Sequence, residues 1–147
     1  DSSGGIYCKE GLDPVALAER KREKGSVRDY DKSCGGGKIE SIERDEMFAC
    51  DCDLIIPAAL ESQITRDNAG AIKARVILEL ANGPVTSDAD EILQENNVIV
   101  LPDILANAGG VTVSYFEWVQ NKQGYYWTEQ EVYDRLKPMM ETESQAV

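Results

Sequence analysis

Three short apolar runs at even spacing constrain the fold of this chain more than any other feature. The runs are 54–56, 76–78 and 98–101, so their first residues are 22 positions apart (54, 76 and 98). Continuous rather than alternating apolarity is typical of strands covered on both faces, as in parallel sheets. The intervals are long enough for a helical crossover between consecutive strands. The sequence therefore predicts an α/β fold with a Rossmann-like, doubly wound sheet.

Helix start and stop residues flank these runs. Side chains that cap amino termini, a proline at a first helical position and residues that end helices recur at suitable distances. The segment 25–52, which contains three consecutive glycines, is predicted to be irregular, with at most a short strand and one helical turn. The predicted helix boundaries are, in chain order, Asp13-Pro14 and Gly25, then Thr86 or Ser87 and Asn96-Asn97, and finally Thr128 with Glu131 as a capping box.

Charge and hydropathy exclude several classes of partner. The net charge of −12 would repel nucleic acid and anionic membrane surfaces, so neither is an expected partner. No stretch approaches the roughly 18 apolar residues of a membrane span. We also expect no signal peptide.

The cysteines and the missing histidines limit the chemistry. Four cysteines are present and histidine is absent, which excludes every histidine-based triad or general base. The C-x-C pair at Cys50 and Cys52 lacks the further thiols or imidazoles of a structural zinc site, so we predict no metal. The thiols are expected to be reduced and structural, which favours the cytoplasm.

The phosphate-binding signature of a dinucleotide fold is missing. No G-x-G-x-x-G occurs in the sequence, although Asp1 is where the acidic residue at the tip of a second strand would fall. We therefore expect an incomplete sheet in which the first strand and its glycine-rich loop are absent. In a doubly wound sheet that strand lies at the centre, so its loss would leave apolar edges.

Two small segments are candidates for contact with a dinucleotide. The carboxylate of Asp1, followed by Ser2, is suited to accept both hydroxyls of an adenosine ribose, and a polar turn is the alternative. Ala58 and Ala59 follow the first apolar run, where small side chains leave space for a flat ligand. Alanines also simply begin helices, which is the alternative there.

Polar residues after the other two runs complete the candidate site. Asn82 follows the second run and offers a donor and an acceptor to a ribose hydroxyl or a carboxamide, although Asn-Gly also forms ordinary turns. After the third run, Gly109-Gly110 begins a helix on which Val111 and Ser114 share one face. That pair suits an aliphatic substrate stem that ends in a carboxylate. Alternatively, Val111, Tyr115 and Val119 form a core stripe.

Four strings of residues together resemble the hexameric glutamate dehydrogenases of the Glu/Leu/Phe/Val dehydrogenase superfamily. The most specific is N-A-G-G-V-T-V-S-Y-F-E-W, residues 107–118, which resembles the glutamate branch rather than the leucine and phenylalanine enzymes. The strings are Asp1–Tyr7, Asp53–Glu61, Leu80–Asp90 and Leu101–Trp118.

The resemblance implies reversible oxidative deamination of L-glutamate to 2-oxoglutarate and ammonia, with NAD or NADP as hydride acceptor. It implies that Asn82 and Asn107 lie at the nicotinamide riboside end of the cofactor. Val111 and Ser114 are implied to reach the substrate, where the Ser114 hydroxyl would bind the side-chain carboxylate. Asp1 and Ser2 are implied near the adenosine ribose, with Ala58 and Ala59 lining the cofactor cleft.

The resemblance also implies parts that we do not find. Residues 1–147 correspond to a partial dinucleotide-binding domain, whereas the substrate domain, with its catalytic lysine and aspartate, is expected to lie outside this sequence. We therefore assign no catalytic residue, and the intact protein is expected to be a homo-hexamer. The alternatives are a fragment of a branched-chain amino-acid dehydrogenase, which Ser114 disfavours, and a non-catalytic homologue that binds dinucleotide.

Overall fold

The computed structural model describes residues 4–27, 30, 37–43 and 45–146. The chain divides into two compact units, one formed by residues 1–51 with 71–73 and the other by residues 52–70 with 74–147. None of the helices in these described ranges is long and apolar enough to cross a membrane.

The first unit contains a helix and a small antiparallel sheet. Its elements are β1 (Gly5–Tyr7), α1 (Pro14–Lys24), β2 (Glu40–Ile42) and a 3-10 helix (Asp45–Ala49). β1 pairs with β2 in antiparallel register, a pairing that the sequence did not predict. The predicted short strand and single helical turn within 25–52 correspond to β2 and the 3-10 helix and are confirmed.

The ends of α1 lie where the sequence predicts them. The Asp13 carboxylate accepts hydrogen bonds from the backbone N–H groups of Val15 and Ala16, which satisfies two amides of the first turn. Gly25 ends the helix in the left-handed region at φ 72°. The cysteines differ from expectation, because Cys8 is disulfide-bonded and the prediction of a reduced thiol is wrong there.

The second unit is built on a parallel sheet of three strands. The strand order is β3-β4-β5, with β4 paired to both neighbours. This confirms the predicted α/β class and the three predicted strand positions. The strands are β3 (Leu54–Ile55), β4 (Val76–Leu78) and β5 (Ile99–Leu101).

Five helices belong to the second unit. α3 begins after Thr86 and ends before Asn96, as predicted. The helix predicted to begin at Gly109-Gly110 is α5, which begins one residue earlier, at Ala108. The short helix α4, which ends just before Asn107, was not predicted. The helices are α2 (Arg66–Ala69), α3 (Ser87–Glu95), α4 (Asp103–Ala106), α5 (Ala108–Gln123) and α6 (Glu129–Ala146).

Only one face of the parallel sheet is covered within the second unit. Ile55 and Ile77 are buried, whereas Leu54, Ile99 and Leu101 are 44%, 60% and 40% exposed. Alternate residues of a strand point to opposite faces, so the exposed side chains share the uncovered face. The prediction that both faces are covered is therefore wrong for the described part of this unit. An apolar run shows that a strand can be buried, but burial itself requires a packed element on each face.

A small core joins α5 to α6. Phe116 is buried, and its ring meets Trp127 edge-on with the centroids 5.6 Å apart. The buried Gln120 side chain donates to the Phe116 carbonyl at 3.2 Å and accepts from the Trp127 backbone N–H at 2.6 Å. Arg135 lies over the Trp127 ring, 4.2 Å from its centroid. Gln120 thereby fixes the turn that joins the two helices.

We expect Gln120→Ala to loosen this turn. The substitution removes the acceptor of the Trp127 N–H and the donor to Phe116 in a buried setting, a loss of about 1–3 kcal/mol. Amide hydrogen exchange at Trp127 should accelerate by roughly tenfold or more. Gln123→Ala, at the exposed end of the same helix, is the control. Equal exchange rates in the two variants would contradict the role of Gln120.

The predicted capping box at the start of α6 is confirmed. The Glu131 carboxylate accepts from the Thr128 backbone N–H at 2.7 Å and from its hydroxyl at 2.9 Å. The Glu131 N–H donates to the Thr128 hydroxyl oxygen at 3.3 Å. These bonds, first the one from the backbone amide, lower the pKa of Glu131 below its ordinary value.

The lowered pKa makes the start of α6 dependent on pH. A carboxylate with a depressed folded pKa stabilises above its unfolded pKa, and this stabilisation is lost as pH falls through the folded pKa. We expect Glu131→Gln to lower the melting temperature at neutral pH and to have no effect in acid below that pKa. The matched control is Glu129→Gln in the same helical turn. A pH-independent difference between wild type and Glu131→Gln would refute this role.

Candidate functional site

The residues that follow the three parallel strands meet at one edge of the sheet. Parallel strands place their carboxyl ends at the same edge, where open α/β sheets bind ligands. The Pro57 carbonyl accepts from the backbone N–H groups of Leu80 at 3.2 Å and Ala81 at 2.9 Å. The segments after β3 and β4 are thus held side by side. Ala58 and Ala59 continue from Pro57 and are exposed at this edge.

Asn82 and Asn107 are in direct contact at the same edge. The Asn107 side-chain amide donates to Asn82 Oδ1 at 2.8 Å and to the Leu80 carbonyl at 3.3 Å. Asn107 precedes α5 at the capping position, yet its side chain makes no capping bond there. It reaches back to the segment after β4 instead. This contact joins residues that are 25 positions apart in the sequence.

The amide pair keeps one donor group and one acceptor available. Within the ranges that the structure describes, no hydrogen bond engages Asn82 Nδ2 or Asn107 Oδ1. An asparagine amide offers two N–H donors and a carbonyl acceptor. The pair therefore presents an N–H donor from Asn82 beside a carbonyl acceptor from Asn107.

Two carboxylates linked to the segments that carry this pair were missed by the sequence-based predictions. Glu79 is only 6% exposed, and its two oxygens accept from the backbone N–H groups of Val85 at 3.2 Å and Asp103 at 2.9 Å. The Asp103 carboxylate accepts in turn from the Gly83 N–H at 2.8 Å. Gly83 has a φ of 51°, in the left-handed region that favours glycine.

A sequence signal for Glu79 does exist. The residue stands directly after the apolar run of β4, where an ionised side chain is costly to bury without partners. A carboxylate in that position indicates that backbone donors converge on it. The identity of those donors cannot be inferred from the strand itself, because Asp103 belongs to the segment after a different strand.

The first turns of α5 expose the two predicted substrate-binding residues. Val111 is 71% exposed, and Ser114 is also exposed, with its hydroxyl donating to the Gly110 carbonyl at 3.1 Å. Tyr115 is 58% exposed, so the core-stripe interpretation of Val111 and Tyr115 is wrong. Tyr115 stacks instead on Trp118 along the same helix, with the ring centroids 5.9 Å apart.

Two glycines at the start of α5 lack a structural reason within the described chain. A Cβ atom added to Gly109 or Gly110 would meet no atom within 4 Å, and neither residue has the positive φ that favours glycine. Glycine in a helix costs roughly 0.5–1 kcal/mol relative to alanine. Their bare backbone is available for close approach by a group outside the described chain.

The predicted site residues differ in how far the structure describes them. Asp1 and Ser2 lie outside the described residues. Asn82 and Asn107 are brought into contact, while Ala58 and Ala59 lie at the same sheet edge. Val111 and Ser114 lie on the helix that begins directly after Asn107, but the Ser114 hydroxyl bonds within its own helix.

Comparisons with known proteins give a consistent relationship. The family profile described as Glutamate/Leucine/Phenylalanine/Valine dehydrogenase matches residues 1–147. The chain is 51% identical over 150 residues to an NADP-specific glutamate dehydrogenase of Synechocystis sp., covering 100% of this chain and 35% of that protein. It is 47% identical over 141 residues to an NAD-specific glutamate dehydrogenase of Staphylococcus aureus, covering 96% of this chain and 32% of that protein.

A solved structure agrees in fold. The hetero-hexameric glutamate dehydrogenase from Thermus thermophilus matches with a TM-score of 0.80 and 28% identity, over 95% of this chain and 31% of that chain. The chain thus spans about a third of the length of the relatives that it matches. With a family match along its whole length, the chain belongs to the Glutamate/Leucine/Phenylalanine/Valine dehydrogenase family.

Proposed function

We propose that this chain is the dinucleotide-binding part of a glutamate dehydrogenase that acts in a longer protein. The reaction is L-glutamate with NAD or NADP and water, giving 2-oxoglutarate, ammonia and the reduced cofactor. The Asn82–Asn107 pair at the carboxyl edge of the parallel sheet carries the proposal. It lies where this class of sheet binds ligands and offers polar atoms that no described residue engages. The names of the two relatives support the same activity.

The amide pair suits the nicotinamide riboside end of the cofactor. A carboxamide or a ribose hydroxyl contains both a donor and an acceptor, which complements Asn82 Nδ2 and Asn107 Oδ1. Ala58 and Ala59 would line the cleft, and Asp1 with Ser2 would contact the adenosine ribose. The relatives include an NADP-specific and an NAD-specific enzyme, so the proposal covers either cofactor.

Val111 and Ser114 would bind the substrate from one face of α5. Glutamate has an aliphatic stem that ends in a carboxylate, which suits an apolar side chain beside a hydroxyl. The Ser114 hydroxyl now donates to the Gly110 carbonyl, so it would turn away from its own helix to donate to the substrate. A bond to a charged acceptor is about twice as strong as a neutral one, which favours this exchange.

In this proposal the chain binds the cofactor and the substrate, and the remainder of the protein supplies the catalytic residues. The cofactor, when bound, supplies hydride acceptance, and this chain positions it and the substrate. We propose that the catalytic residues lie in a separate substrate domain and that the intact protein is a cytoplasmic homo-hexamer. A branched-chain amino-acid dehydrogenase is the second candidate, because the family includes leucine and valine enzymes. Its apolar substrates would have no use for the Ser114 hydroxyl.

Substitution of Ser114 tests the substrate assignment. In the intact enzyme, Ser114→Ala should lower kcat/KM for glutamate by about ten- to hundredfold, as for loss of one bond to a charged group. The KM for the cofactor should remain unchanged. Thr112→Ala is the matched control, since Thr112 makes the same type of bond to a carbonyl four residues earlier and points to another face of α5. Unchanged glutamate kinetics in Ser114→Ala would show that the role is misassigned.

Purified 1–147 tests whether the catalytic residues lie outside this sequence. We expect no oxidation of glutamate in the presence of NAD or NADP, because the proposed catalytic residues are not in this sequence. Circular dichroism must first show a folded α/β chain, so that the loss of folding does not imitate the result. Measurable production of NADH or NADPH by the folded chain would refute the proposal.

A further inference from the structure

We propose that Glu79 is a positioning residue that sets the geometry of the Asn82–Asn107 pair through Asp103. The inference rests on the proposed function, because it takes the asparagine pair as the cofactor-contacting group. Glu79 itself is buried, and its carboxylate accepts hydrogen bonds only from backbone amides among the described residues, so it acts through other residues rather than on the ligand.

The two loops that carry the asparagines are joined by backbone-to-carboxylate bonds. Glu79 follows β4 and binds one amide in each loop, Val85 N–H at 3.2 Å and Asp103 N–H at 2.9 Å. It therefore fixes the spacing between the loop after β4 and the loop after β5. Both loops continue directly into the residues that meet at the sheet edge.

Asp103 extends this link to both asparagines. Its carboxylate accepts from the N–H of Gly83, the residue next to Asn82, at 2.8 Å. Its backbone carbonyl accepts from the Asn107 N–H at 2.9 Å. A displacement of Asp103 would therefore disturb both members of the pair. Glu79 holds the amide of Asp103 and limits that displacement.

The arrangement requires a carboxylate rather than any polar side chain. Each Glu79 oxygen accepts one backbone N–H, so two acceptors are needed side by side. A glutamine has the same shape but replaces one oxygen with an NH₂ group, which would face an N–H donor. Buried donors left without an acceptor are costly, so the loops would shift to relieve the conflict.

The test is a double-mutant cycle in the intact, full-length enzyme. We expect Glu79→Gln to raise the KM for the cofactor by about tenfold or more. In an Asn107→Ala background, where the pair is already lost, the same substitution should change the KM by less than about twofold, because coupled residues are not additive. A purely structural role of Glu79 would instead give equal effects in both backgrounds. Glu91→Gln on the exposed surface of α3 is the control.

The cycle also separates this inference from the function on which it rests. If Asn107→Ala alone leaves the cofactor KM unchanged, the asparagine pair is not the cofactor-contacting group and both proposals fail. If Asn107→Ala weakens the cofactor but Glu79→Gln is silent or additive, only the positioning role is overturned.

A second variant keeps the test decisive if Glu79→Gln fails to fold. Asp103→Asn leaves the bond from the Asp103 backbone N–H to Glu79 in place. It replaces one of the two carboxylate oxygens, which accept from the N–H groups of Gly83 and Ile104, with an NH₂ group that cannot accept. We expect it to raise the cofactor KM about tenfold alone and by less than twofold in the Asn82→Ala background. Additive effects in this second cycle would overturn the positioning role.

Discussion

Parallel pairing of β4 with both of its neighbours is the constraint on which the rest of the second unit depends. It brings three carboxyl ends of strands to one edge, so residues from widely separated parts of the sequence become neighbours. Without that pairing, the contact between Asn82 and Asn107 would have no geometric basis. The backbone bonds from Leu80 and Ala81 to Pro57 extend the pairing beyond the last strand residues.

After the strands end, the segments are joined by hydrogen bonds from backbone N–H groups to side-chain carboxylates rather than by strand pairing. Glu79 is almost entirely buried, yet both of its oxygens are satisfied by backbone amides, so its burial is compensated. Asp103 then connects this buried group to the loop at Gly83. In the Asn82–Asn107 pair, Asn82 Nδ2 and Asn107 Oδ1 form no hydrogen bond within the described part of the chain. At this site the hydrogen-bonded carboxylate of Glu79 is buried, and the amide atoms without a described partner lie nearer the surface.

Much of this fold was predictable because its signals are local. Continuous apolarity located the three parallel strands, and residue types that begin or end helices located both ends of α1 and α3 and the start of α6. The candidate polar residues were also found, since residues after strand ends in a parallel sheet converge. That argument predicts that Asn82 and Asn107 lie close together. It does not predict that Asn107 gives up a helix-capping bond to contact Asn82.

The remaining features depend on contacts between distant segments. β1 has three residues, and its pairing with β2 is set by a partner more than thirty positions away. The position of Glu79 after an apolar run indicates that its carboxylate has partners, but the sequence does not identify them, because Asp103, one of the two donors, is 24 positions away. The open face with Leu54, Ile99 and Leu101 also could not be inferred, because an apolar run does not reveal whether anything packs on it.

The hydrogen bond from Asn107 to Asn82 determines which side of the pair donates a hydrogen bond and which side accepts one. Because this bond occupies one N–H of Asn107 and the oxygen of Asn82, neither amide can rotate alone by half a turn without placing like groups against each other. The bond from the Asn107 amide to the Leu80 carbonyl opposes rotation of both amides together. A visiting group that satisfies the pair must carry its lone pairs toward Asn82 and its hydrogen toward Asn107. The same group in the reverse orientation would place a donor against the Asn82 donor and an acceptor against the Asn107 acceptor. Two identical side chains would therefore distinguish the two orientations of a flat ligand.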